Sequence, residues 1–156
     1  MAELIDKNIR NKKSELLDYY RARATELVSE VKKIYGEADY KERASALNDG
    51  LIEAKENLIK TLEQKANKEG WNPEQILEGV LLITYTNYVV MMEARNDVWP
   101  YEYMAFARRI GELWEPFCQL CWEYPISKNI NYIVPPLFKD VKEKLSKEIE
   151  GFINLL

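Results

Sequence analysis

The sequence predicts an all-α fold of five to six helices. Apolar residues recur at the three-and-four spacing of a helical face through most of the chain, and Gly and Pro fall where those runs should stop and start. One stretch, Ile83 to Val90, is β-branched enough to leave a strand reading open beside the helical one. The 156 residues suit a single domain, expected as a long helical hairpin at 1–70 packed on an aromatic-rich core and C-terminal helix at 71–156.

Leu4 to Tyr35 reads as one long amphipathic helix, with Leu16, Tyr20, Ala24, Leu27, Val31 and Ile34 on one face. Gly36 is expected to stop it by entering the left-handed cap conformation. The opposite face carries Arg10, Lys12, Lys13, Arg21 and Arg23, either a phosphate-contacting stripe or solvated surface. The interspersed Glu15, Asp18 and Glu26 favour solvated surface.

Asp39-Tyr40-Lys41-Glu42 has the form of a capping box and opens the second helix. Its stripe of Ala44, Leu47, Leu51, Ala54, Leu58 and Leu62 repeats close to every 3.5 residues, which suits a nearly antiparallel neighbour. Gly50 within it costs about 1 kcal/mol relative to Ala, so a bend or a close helix contact is expected there. Gly70 ends the helix.

Asn72-Pro73-Glu74-Gln75 is the clearest local signal: a capping Asn, Pro at the first helical position and Gln to complete the box. The helix that follows is apolar almost all round, from Ile76 and Leu77 to Met91 and Met92, as the buried centre of a domain would be. Pro100 restarts the chain as a fourth helix whose inner face is expected at Met104, Ile110, Leu113, Trp114, Phe117, Leu120 and Cys121. Pro116 should kink or restart it near Glu115. After Tyr124-Pro125 a connector follows, with a short extended piece at Ile130 to Val134. Pro135-Pro136 then introduces a last amphipathic helix bearing Leu137, Val141, Leu145, Ile149 and Phe152. The terminal Ile153-Asn154-Leu155-Leu156 implies either leucines that pack or a piece of a longer polypeptide.

Net charge is −4, so no global basic field attracts nucleic acid, although Lys7 to Lys33 holds eight basic residues against four acidic ones. Trp71 to Tyr124 reverses this, with three Arg against eight acids. The first residues do not form a secretory signal. The longest mostly apolar run, Ile76 to Met92, is shorter than a membrane span and carries Glu78 and Asn87, so a cytoplasmic location without membrane contact is expected. The absence of histidine removes Ser-His-Asp and Cys-His catalysis and His-ligated zinc.

Cys118-Gln119-Leu120-Cys121 lacks both a strand–turn–helix setting for redox work and further ligands for zinc, so core thiols are expected. Arg108, Arg109, Glu112 and Glu115 share helix faces and read either as an Arg–Glu network at a helix seam or as carboxylates for Mg²⁺. Glu93 and Asp97 are unconvincing as the further acidic pair such a metal site needs. Asp18 with Glu30-Val31-Lys32 has the spacing of a metal-dependent nuclease but falls in a helix, where that site cannot form.

The run Trp99-Pro100-Tyr101-Glu102-Tyr103-Met104, continued by Arg108-Arg109-Ile110-Gly111-Glu112-Leu113-Trp114-Glu115-Pro116-Phe117-Cys118, resembles a segment of the helical N-terminal part of some type II restriction endonucleases. The resemblance implies a region for DNA engagement or subunit assembly, with Arg10, Lys12, Lys13, Arg21, Arg23, Arg108 and Arg109 as phosphate contacts. It implies Glu112 as an accessory to a metal site and Mg²⁺ as the cofactor of a complete enzyme. The catalytic sheet with its acid…acid-x-Lys motif is absent from these residues, so the chain alone is expected to have no cofactor and no activity. The competing expectation is a stand-alone helical interaction or adaptor domain, with a protein partner or a second copy of the chain in place of double-stranded DNA.

Overall fold

The computed structural model describes residues 4–99, 102–127, 142 and 145–147, with Tyr103 known by its backbone alone. A 3-10 turn at Ile9–Asn11 leads into α1 (Lys13–Ile34), followed by α2 (Tyr40–Glu69), α3 (Pro73–Val98) and α4 (Tyr103–Glu123). The fold is all-α, and the described residues hold no strand. Ile83 to Val90 is helical within α3. Its β-branched side chains pack into a bundle that offers no strand edge to pair with.

The expected first helix is divided. The Asp6 carboxylate accepts the Asn8 backbone N–H at 2.6 Å and pairs with Lys12 at 3.1 Å, and this local bonding competes with the helical ladder until Lys13. Gly36 does not take the left-handed conformation. α1 ends in extended geometry at Tyr35 (φ −108°, ψ 142°), and among the described glycines only Gly70 has a positive φ, at 62°. The Tyr35 carbonyl is held by the Arg43 guanidinium at 2.7 and 3.2 Å, which replaces a glycine cap. The expected capping box at Asp39 is absent because its carboxylate accepts the Gly36 N–H at 3.0 Å and closes the connection. The box that opens α3 is complete, with Gln75 N–H donating to Asn72 Oδ1 at 2.8 Å and Asn72 N–H donating to Gln75 Oε1 at 3.0 Å.

The helices alternate in direction around α3, which packs extensively against both α1 and α2. Asn87 Nδ2 donates to the Leu51 carbonyl at 2.8 Å across the α2–α3 seam. Arg21 of α1 reaches Glu93 of α3, and Lys13 lies over Tyr85 one end further down, so α1 and α3 run parallel. Two glycines set the closest approaches. A Cβ at Gly50 would stand 2.7 Å from Leu27 Cδ2, and one at Gly79 would collide with Leu62 Cδ1.

The core is not aromatic-rich. Among the described residues the buried hydrophobic ones are aliphatic apart from Tyr20 and Trp71, and they come from the N-terminal segment, α1, α2, α3 and, for Trp71, the connection between α2 and α3. The rows of Leu, Ala and Val on α1 and α2 cover one face of α3, and the aromatic α4 packs beside it. Leu113 and Leu120 of α4 pack against the core, while the Tyr124 hydroxyl donates to Glu63 of α2 at 2.7 Å. α4 runs unbroken through Pro116, without the expected restart. It lies at the surface, where water can satisfy the Glu112 carbonyl that Pro116 leaves without a donor.

α3 is long and apolar enough, by length and composition, to cross a membrane, and a face of it from Gly79 to Val98 is buried in the bundle. The extended piece expected at Ile130 to Val134 lies outside the described residues. Of the expected last helix only 142 and 145–147 are described, and they are helical.

Candidate functional groove

α3 and α4 pack against each other, and an open groove runs beside their contact. On α3 the open edge carries Tyr85, Val89, Met92 and Asn96; on α4 it carries Phe106, Ile110, Leu113 and Phe117, at the same four-three-four spacing. Each set therefore forms a straight stripe on its helix. Between them lies a groove of about 830 Å³, to which Tyr88, Glu93 and Trp114 also contribute.

The groove is apolar and open. Trp114 is 62% exposed and Ile110 48% exposed, with the Trp114 and Phe117 rings stacked at 5.5 Å between centroids. Its polar features sit at the rim. Glu93 accepts two hydrogen bonds from the Arg21 guanidinium, at 3.0 and 2.9 Å, and this holds its carboxyl below the usual range. Lys13 lies over the outer edge at Tyr85, 5.0 Å from the ring centre. Burial pushes the Tyr88 hydroxyl up, so it remains protonated.

This arrangement corrects the expected inner face of α4. Leu113 and Leu120 pack on the core and Phe117 is half-buried, but Met104, Ile110, Trp114 and Cys121 face outward. The cysteines are likewise not core thiols: Cys118 and Cys121 are both free and exposed on α4. The periodicity identifies the apolar side of α4 correctly, but α1 and α2 have already occupied the surface that would have covered it.

The basic residues expected at phosphate are dispersed and largely engaged. Lys12 pairs with Asp6 and with Glu15 at 3.6 Å, Arg21 with Glu93, and Arg23 with Glu26 at 3.0 Å. Lys13 lies on Tyr85, and Arg10 is exposed in the 3-10 turn. Arg21 and Arg23 point to opposite flanks of α1, separated by about 160° around its axis. Arg108 and Arg109 lie on α4 and both bind Glu112, at 2.9 and 3.1 Å.

That double clamp keeps the Glu112 carboxyl below its ordinary range, with Arg109 the larger cause. Both carboxylate oxygens are thereby engaged by cations, which favours the Arg–Glu network over a metal ligand. Among the described residues no group of three or more Asp, Glu or Cys gathers as a metal site would require. A second hollow, of about 860 Å³, is lined by Arg95, Trp99, Met104, Arg108, Arg109 and Glu112. Its cations are committed to Glu112 and, for Arg95, to the Trp99 face at 5.1 Å.

Sequence reasoning missed the groove, although its signal was present: two matching stripes on consecutive helices, one belonging to a helix with more apolar surface than a single neighbour can cover. No protein-family model, curated protein or solved structure matches the chain. The groove's own chemistry is therefore what bears on function.

Proposed function

We propose that the chain is a helical protein-interaction module whose α3–α4 groove receives an amphipathic helix. One observation carries this reading: two facing stripes of matched spacing, apolar but for Asn96, border an open groove in which a third helix could lie. Helix-in-groove recognition uses this surface, with anchors at i, i+3/i+4 and i+7 seated between two helices. Burying apolar area contributes about 25 cal/mol per Å², and Trp and Tyr, both present in the lining as Trp114, Tyr85 and Tyr88, are among the side chains that most often dominate binding. A small polar substrate would find little to orient it, because the Glu93 carboxylate is already held by Arg21.

DNA engagement, which the likeness to restriction endonucleases suggests, calls for several cations facing one way. The divided and acid-paired cations of α1 and α4 favour the groove over it.

The test is photocrosslinking in cells from a benzophenone amino acid at Trp114, with Ser45 on α2 as the control position. The reading expects adducts at 114 that map to amphipathic helical segments and disappear in Ile110→Asp. Equal labelling at both positions, or adducts indifferent to Ile110→Asp, would overturn it. Tight, salt-sensitive binding of a DNA duplex by the purified chain would turn the choice toward DNA.

A further inference from the structure

We infer that the helix received beside the groove is α4 of a second copy of this chain, the two α4 helices packing antiparallel about a two-fold axis that passes between Glu112 and Leu113. The inference rests on the helix-accepting reading of the groove and names the occupant.

α4 carries a face that its own chain leaves to water. Met104, Ala107, Gly111, Trp114, Cys118 and Cys121 follow one another at three-four-three-four-three spacing, the spacing of a coiled-coil seam, and all six are exposed. They fall within about 100° of the helix circumference, and none is charged. Ile110 and Phe117 of the groove lining border this seam on one flank, and Arg108 and Glu115 border it on the other.

The order of side-chain sizes along the seam matches its own reverse. Turned end over end about the stated midpoint, Trp114 stands opposite Gly111 of the other copy, Cys118 opposite Ala107 and Cys121 opposite Met104. A Cβ at Gly111 would have nothing within 4 Å, so the place opposite the indole is open. A parallel pair would instead set Trp114 against Trp114 and Gly111 against Gly111, a crowded level beside an empty one.

The flanks agree with the same midpoint. On the outer flank Arg108 comes level with Glu115 of the other copy, and the two-fold repeats this opposite-charge pair. Arg108 Nε donates to Glu112 of its own helix at 2.9 Å, and a guanidinium has further donors for a second carboxylate. On the groove flank Ile110 comes level with Phe117 of the other copy, so the apolar lining continues across the pair.

Area agrees as well. A large side chain carries about 150–250 Å², and Met104, Ile110, Trp114 and Trp122 are 76%, 48%, 62% and 46% exposed, which amounts to on the order of 500 Å² per copy. A symmetric pair then covers about 1,000 Å², the size at which specific interfaces begin.

The experiment uses the full chain with Cys121→Ser and Ala107→Cys, keeping Cys118, oxidised under native conditions with copper phenanthroline. Positions 107 and 118 are about 16 Å apart along one helix, so a disulfide between them must join two copies. The expected result is a covalent dimer, in yield severalfold above two single-cysteine controls. One control keeps Cys118 alone, with Cys121→Ser; the other carries Ala107→Cys with Cys118→Ser and Cys121→Ser. The antiparallel pair holds each position about 16 Å from its own copy, so these should crosslink poorly. Controls that crosslink as well as the mixed pair would overturn the inference.

Light scattering supplies the second measurement. The unaltered chain should show dimer mass, and Gly111→Glu should return it to monomer mass with unchanged circular dichroism, because the site is open within the single copy. Monomer mass for the unaltered chain, or a dimer indifferent to Gly111→Glu, would overturn the inference. The two readings fail separately. A monomeric chain that still gives Ile110-dependent adducts at position 114 loses only the second copy and keeps the helix-accepting groove. A monomeric chain without such adducts loses both.

Discussion

Gly79 of α3 lies against Leu62 of α2, whose Cδ1 a Cβ would meet and which is fully buried among core side chains. Gly79→Ala adds helix propensity worth about 1 kcal/mol, but overpacking of a sealed core costs about 1–3 kcal/mol, so a net loss is expected. Gly111→Ala on α4 meets nothing within 4 Å and should instead gain about 0.5–1 kcal/mol. Urea unfolding of the two variants side by side measures both signs. At Asn87, the single bond to the Leu51 carbonyl is buried, and Asn87→Ala should cost about 1–3 kcal/mol in the same assay. Glu93 carries a pH dependence. Its folded-state carboxyl is held below the ordinary value by Arg21, so its stabilising contribution is complete above the unfolded-state value and fades as pH falls toward the folded one. The difference in melting temperature between the parent chain and Glu93→Gln should therefore be positive at neutral pH and vanish in acid.

Among the elements, α2 was the most legible: every residue of its expected stripe from Ala44 to Leu62 is buried, because a heptad-like spacing leaves only one side able to face two neighbours. The start of α3 was equally legible, since a capping box and a Pro at the first turn are satisfied locally and need no tertiary information. Asn72→Ala should cost about 1 kcal/mol, read by thermal or urea unfolding. The start of α2 misled, because the Asp39 carboxylate had two backbone donors in reach and Gly36, across the turn, took it. α4 was legible in its pattern and illegible in its burial. Spacing tells which side of a helix is apolar; whether any surface remains to cover that side depends on what the rest of the chain has already packed.

For the whole molecule, α3 is the post on which the other helices lean, and stability and binding are expected to separate along it. Leu58→Ala, in the sealed α1–α2–α3 interior, should lose about 2–5 kcal/mol. Ile110→Asp, on the open face, should change unfolding free energy by no more than about 0.5 kcal/mol while removing the adducts at position 114. A chain whose groove variants are as unstable as its core variants would not have this division. The exposure of Trp114 has a spectroscopic consequence. An indole largely in water emits at the red end of its range and is readily quenched by iodide. A chain keeping Trp114 while Trp71, Trp99 and Trp122 are replaced by Phe would then report in real time, through a blue shift and lost quenching, whenever something settles beside α4.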